Sequence, residues 1–141
     1  MTQEDKSLLL KDLCARLPYK LFVNGNFAQK DNPSAIYTIG GYYPVTDTEV
    51  YLNEAECWVK VESIKPYLRP MSSMTEEEFH NSPIYGNDVT HSYKIDKDGF
   101  HFIRITTYDN EVFDWLNEHH FDFRNLIEKG LAIDCTGLNI Y

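Results

Sequence analysis

Four leucines at helical spacing open the chain. In "TQEDKSLLLKDLCARLP", Leu9, Leu10, Leu13 and Leu17 fall on one apolar face, while Lys11, Asp12 and Arg16 lie off it. Thr2 followed by Asp5 makes a short-armed capping box at the start of this segment. Pro18 ends it, because proline lacks an N–H and its ring clashes with the preceding turn. The spacing predicts a core-facing helix over residues 2–17.

The period then shortens. "YKLFVNGNF", "SAIYTIGGYYPV", "EVYLN" and "CWVKVESI" are rich in β-branched and aromatic residues and are separated by turn signals. Asn24-Gly25 suits a tight hairpin turn. Short strands joined in this way predict a small, strongly bent antiparallel sheet, an SH3-like partial barrel. In "SIKPYLRPMSSMTEEEF", Pro66 and Pro70 keep the chain extended. Ser73 or Thr75 then caps a helix of a turn or two whose glutamates favour the positive end of the helix dipole.

Residues 81–92, with Pro83 and Gly86, read as a loop. "HSYKIDKDGFHFIRITTY" reads as a hairpin turning at Asp96–Gly99, with Phe100, Phe102 and Arg104 on one side and His101, Ile103 and Ile105 on the other. "DNEVFDWLNEHH" reads as a helix capped by Asp109 or Asn110, with Val112, Leu116 and His119 on one face. Asp122 takes the N-cap place of a second helix, "FRNLIEK"; Gly130 closes it, and "LAIDC" leaves as a short strand. The pattern as a whole predicts an α+β protein. A helix and small β subdomain over residues 1–70 packs against an α+β subdomain over residues 71–141 as one compact unit.

Charge separates the two halves. Residues 1–70 hold 8 Lys and Arg against 9 Asp and Glu, and residues 71–141 hold 5 against 13. An acidic second half repels phosphate backbones, so direct nucleic-acid binding is not expected. It also makes "FRNLIEK", with only Arg124, Asn125 and Lys129 to offer, a poor recognition helix. No apolar run approaches the roughly 18 residues that span a bilayer, and the N-terminus carries no signal-peptide core. Cys14, Cys57 and Cys135 are an odd number without CxxC spacing, so reduced, buried thiols in a cytoplasmic protein are expected.

His119 and His120 invite a metal or catalytic reading. Adjacent helical residues point about 100° apart and do not readily grip one ion, whereas zinc helices place ligands four apart. His80, His91 and His101 are distant in sequence. Neither a metal nor a cofactor is expected. The helix end itself explains the pair, since histidines favour the negative end of the dipole.

Three blocks, "MTQEDKSLLLKDLCARLPY", "IKPYLRPMSSMTEEE" and "DWLNEHHFDFRNLIEKGLAI", cover about 55 of the 141 residues. Together they resemble an uncharacterised family of small proteins found widely in gut-bacterial genomes and their phages. The resemblance implies a cytosolic protein of phage or mobile-element origin. It carries across no activity, cofactor or catalytic residue.

Three functions compete. The first is a non-enzymatic protein-interaction module presenting Tyr67, Leu68 and Arg69 on the stiff "KPYLRP" segment, since Tyr and Arg are enriched at binding hot spots. The second is an acidic decoy that occupies the basic cleft of a nucleic-acid-binding host factor. The third is a small enzyme using His119, His120, Asp122 and Glu118, with Cys135 nearby in sequence. The chain contains no P-loop, GxSxG, HExxH or dinucleotide fingerprint. The interaction module, with an unknown protein as partner and with neither nucleic acid nor membrane, is the expected function.

Overall fold

The structure is a computed structural model and describes residues 1–25, 35–42, 48–86, 91–105 and 109–141. Helix α1 (Gln3–Arg16) begins in the expected capping box: the Thr2 hydroxyl accepts from Asp5 N–H, and the Asp5 carboxylate accepts from Thr2 N–H. Strands β1 (Phe22–Gly25), β2 (Ile36–Tyr42), β3 (Glu49–Leu52) and β4 (Cys57–Lys60) form an antiparallel run. A single 3-10 turn (Val61–Ser63) then leads into β5 (Ile64–Pro70), which returns antiparallel to β1. Asn24 and Gly25 do not make the expected tight turn. They lie within β1, opposite Ile36 on one side and Lys65 and Ile64 on the other. Pairing on both edges outweighs the local preference of Asn-Gly for positive φ.

The β2–β3 register shifts between Ile39 and Gly41, leaving Gly40 as the extra residue. A Cβ there would come within 2.1 Å of the Asn53 amide oxygen. The amide nitrogen of Asn53 is already bound to the Thr38 hydroxyl.

The second half holds α2 (Glu76–Asn81), α3 (Pro83–Gly86), the hairpin β6 (His91–Asp96) and β7 (Gly99–Ile105), α4 (Asn110–Glu118), and two short strands, β8 (Phe121–Asp122) and β9 (Ile133–Asp134). Thr75 and Glu78 cap α2 reciprocally, and the Asp109 carboxylate caps α4 by accepting from Val112 N–H. The expected loop over 81–92 is in part ordered, as α3 and the first residues of β6; residues 87–90 lie outside the described set. Both β8 and β9 pair in parallel with β5, so the sheet runs β4-β3-β2-β1-β5-β8 with β9 also on β5.

The second helix expected at "FRNLIEK" does not form. His120 and Asn125 adopt positive φ (60° and 58°), and β8 hydrogen-bonds to β5 through Arg69 N–H and His120 C=O. Asp122 still acts as a cap, but of a series of turns: its carboxylate accepts from Leu126 and Ile127 N–H at 2.8 Å each. Gly130 follows in the left-handed conformation, as expected after such a cap.

Two apolar cores result. Leu9, Leu13, Val23, Leu52, Ile64 and Leu68 anchor the first, joined by Leu126, Leu131 and Ala132 from the far end of the chain. Met74, Phe79, Ile84, Phe102, Leu116 and Phe121 anchor the second. No helix among the described residues is long and apolar enough to cross a membrane.

The largest departure from the helical pattern is in α1. Asp12 and Arg16, off the leucine face, are completely buried. The Arg16 guanidinium donates to both Asp12 carboxylate oxygens (2.8 and 3.0 Å) and reaches across to the carbonyls of Phe121 (2.8 Å) and Asn117 (3.4 Å). Arg124 closes the cluster on Asp12. Arg16→Met leaves the buried Asp12 carboxylate with Arg124 alone and takes one of two donors from each of the Asn117 and Phe121 carbonyls. It is expected to cost about 3–5 kcal/mol of stability by chemical denaturation, the usual scale for breaking a buried pair. Arg124→Met, at the partly exposed edge, is expected to cost clearly less.

Candidate functional site

The turn that replaces the second helix exposes a cleft. The α4 end, the β5 end, the segment before β1 and the chain's last residues meet around a hollow of about 660 Å³. Glu118, His119, His120, Arg69, Lys20 and Tyr141 are among the side chains that line it. The fold thus brings together three of the proposed enzyme residues, Glu118, His119 and His120, with one of the proposed partner residues, Arg69. It does not bring Asp122, which is buried beneath the 126–127 turn. Cys135 lines a second hollow of about 260 Å³, which shares Arg69, Ile140 and Tyr141 with the first.

Each polar group in the larger cleft has a defined state. His119 caps α4 at its C-terminal end, and its Nδ1 lies 2.9 Å from the Trp115 carbonyl. Because a carbonyl only accepts, Nδ1 carries a proton. Its ring stacks on Trp115 at 4.1 Å. Arg69 donates to both carboxylate oxygens of Glu78 (2.7 and 2.9 Å) and lies over the Phe121 ring at 4.3 Å. Burial would raise the Glu78 carboxyl; the Arg69 and Thr75 hydrogen bonds outweigh it and hold it below its ordinary range. The Tyr141 hydroxyl donates to the Tyr67 carbonyl (2.9 Å) and accepts from Phe22 N–H (3.2 Å), and burial raises its pKa strongly.

His120 is the most constrained group. It is 8 % exposed, stacks on Tyr141 with ring centres 3.7 Å apart, and leaves Nδ1 without a partner among the described residues. Burial first, then the positive charge of Arg16, pushes its pKa down to about 4. The ring is therefore neutral at pH 7. Asp122 moves the other way: burial raises it, against the pull of the two N–H groups it caps. Burial likewise raises the Cys135 thiol, so it is not poised as a thiolate.

Among the described residues no cluster of three or more His, Cys, Asp or Glu side chains is placed to hold a metal. His80 binds the Glu76 carbonyl and His101 binds Asp96, both away from this cleft. The cleft contains no nucleophile hydrogen-bonded to a base among the groups above. It holds stacked rings, a paired Arg69 and Glu78, and a neutral imidazole.

Tyr67 and Leu68 are placed differently from the sequence expectation. Both are buried in β5, opposite Ile133 and Asp134 of β9, and only Arg69 keeps a partly exposed side chain. The extended backbone that suggested a display segment is instead the central strand of the sheet.

Exposed apolar surface lies elsewhere, on the β6–β7 hairpin. Ile95 is 61 % exposed and Ile103 54 %, with Tyr85 and Tyr93 also exposed around the Phe79 ring. Alternation with Phe102 exposes Ile103, and a bulge there changes the pattern beyond it. Ser92 faces Arg104 and Tyr93 faces Phe102, so Ile103 is the extra residue and Ile105 rotates inward beside Phe102. Strict alternation did not foresee this exchange. No third strand borders β6 or β7 among the described residues. Comparisons with protein-family models, curated proteins and solved structures return no match for this chain.

Folding that favours neutral His120 has a definite pH signature. The group's folded pKa lies below its unfolded value near 6.5, so its contribution is complete above that pH and is lost as pH falls towards 4. The loss expected is about 3 kcal/mol. A His120→Asn variant, which tolerates the positive φ, should lack this part of the dependence in denaturation measured across that range. An imidazole titrating near 6.5 by NMR would contradict the assignment.

Proposed function

We propose that this protein is a non-enzymatic interaction module of phage or mobile-element origin, acting in the cytoplasm through its β6–β7 hairpin. The observation that carries the reading is the exposure of Ile95 and Ile103 on a two-stranded ribbon without a bordering strand among the described residues. Unpaired strand edges with exposed apolar side chains are templates for an added strand. The partner is an extended segment of another protein, alternating apolar and acidic residues.

Charge supports that choice. Residues 91–105 carry Lys94, Lys97 and Arg104 against Asp96 and Asp98, while the rest of residues 71–141 carries 2 basic against 11 acidic side chains. The ribbon carries a net positive charge within an acidic half, so it attracts an acidic segment that the rest of that half repels. The SH3-like reading of the first sheet rests on its strand order β4-β3-β2-β1-β5 and the 3-10 turn between β4 and β5.

The test is affinity capture on the tagged protein from its native host, at low and high salt, with wild type and an Ile95→Asp/Ile103→Asp variant side by side. Both substitutions are at exposed positions, so thermal stability should change little. A partner held by wild type and weakened about 30-fold or more by the variant is expected, the scale of losing a hot spot. Amide protection of β6 or β7 in the complex should accompany it. Capture unchanged by the double substitution rejects the ribbon as the surface. A basic, nucleic-acid-binding partner stripped by salt would instead favour the acidic-decoy alternative.

A further inference from the structure

Among the described residues, three buried polar side-chain atoms lack a hydrogen-bond partner: Ser73 Oγ, Asn117 Oδ1 and His120 Nδ1. Native proteins satisfy nearly all such atoms, and exceptions call for a specific cause. Two of the three belong to side chains lining the joined hollows around Tyr141, Ser73 in the smaller and His120 in the larger. The orphans are gathered where the surface is concave.

The lining restricts what could complete them. Lys20 and Arg69 are matched by Glu78 and Glu118, and Arg69 and Glu78 already neutralise each other. Such a site selects neither an anion nor a cation. Of the remaining polar groups, Ser73, Thr136, Asn139 and the neutral His120 can each donate and accept. A ligand of alternating donor and acceptor character, without net charge, matches them. Tyr141 adds a ring held at its hydroxyl from two sides, stacked on His120, and still 46 % exposed as a residue. Aromatic faces carry partial negative charge and attract polarised C–H groups. The larger hollow alone lies within the roughly 300–1,000 Å³ of small-molecule sites.

We propose that the joined hollows bind a neutral polyhydroxylated molecule of mono- or disaccharide size, with its C–H face against Tyr141 and its hydroxyls on Ser73, Thr136, Asn139 and His120. This site is separate from the β6–β7 ribbon and stands whether or not the ribbon binds a protein. No covalent step is involved. His120 Nδ1 is closed to solvent in this structure, so a ligand hydroxyl reaches it only where a neighbouring side chain gives way.

The experiment is a ¹⁵N NMR titration of the full chain with glucose, N-acetylglucosamine and cellobiose, beside inorganic phosphate and glucosamine as charged probes. Saturable shifts confined to residues 69, 73, 118–120 and 135–141 with at least one neutral sugar are expected, and the His120 ring nitrogens should move with them. Tyr141→Ala should weaken binding about tenfold or more. Because that change also removes an anchor to Tyr67, Asn139→Gly and Thr136→Val at exposed positions serve as the second readout. Each should weaken binding with the fold intact. Absence of saturable shifts with all three sugars overturns the proposal, as does saturation by phosphate or glucosamine alone. Binding that leaves the His120 ring unmoved removes His120 from the site.

Discussion

The buried Asp12–Arg16 pair is the interaction on which the rest of the structure depends. Four residues apart on α1, the two side chains meet without solvent, and a charge pair in that position needs further partners to be tolerated. Arg16 finds them in the carbonyls of Asn117 and Phe121, and Asp12 finds Arg124. The carbonyl of Asn117, near the end of α4, accepts from His120 N–H at 3.2 Å, and Arg16 adds a second donor to it. The pair ties the first helix to residues more than a hundred positions away. It also sets the electrostatics of the cleft, because the Arg16 charge is one reason that His120 stays neutral.

Strand β5 is the second organising element. Its first residues pair with β1, and its later ones take β9 and β8 in parallel. Two prolines fit here because the strand's partners change along its length, so not every residue needs to donate to a neighbour. The same multiple pairing buries Tyr67 and Leu68 and leaves Arg69 at the rim, where Glu78 fixes it beside the histidines. A segment that looks suited to display becomes the strand through which the two halves of the chain are joined.

The cleft and the hairpin ribbon offer different kinds of surface. The cleft is concave, balanced in charge and built from side chains locked by their own contacts. The ribbon is apolar at Ile95 and Ile103 and carries a net positive charge against an acidic background. Burial favours the uncharged forms of His120, Cys135 and Tyr141, and at His120 the neighbouring positive charges act in the same direction.

The sequence by itself determined whatever depends on neighbours along the chain. The capping box at Thr2, a cap at Ser73 or Thr75, a cap at Asp109 or Asn110, the Asp96–Gly99 turn and the α+β class were legible there, because a hydroxyl or carboxylate three residues from its N–H partner needs nothing else. The structure chose Thr75 and Asp109. Of the cleft, His119 and His120 were legible as residues at a helix end, and Arg69 as a residue held on a stiff backbone. Their meeting, and the part played by Tyr141, were not. The tertiary structure decided everything that required a distant partner. Asp12 and Arg16 look solvent-facing until Asn117, Phe121 and Arg124 are beside them. Asn24-Gly25 looks like a turn until Ile36 and Lys65 pair with it. "FRNLIEK" looks helical until β8 claims its start and Asn125 turns left-handed. Local preferences amount to about 1 kcal/mol or less per residue. Leaving a buried charge or backbone group unpaired costs more, so the long-range pairing prevailed at each of these positions.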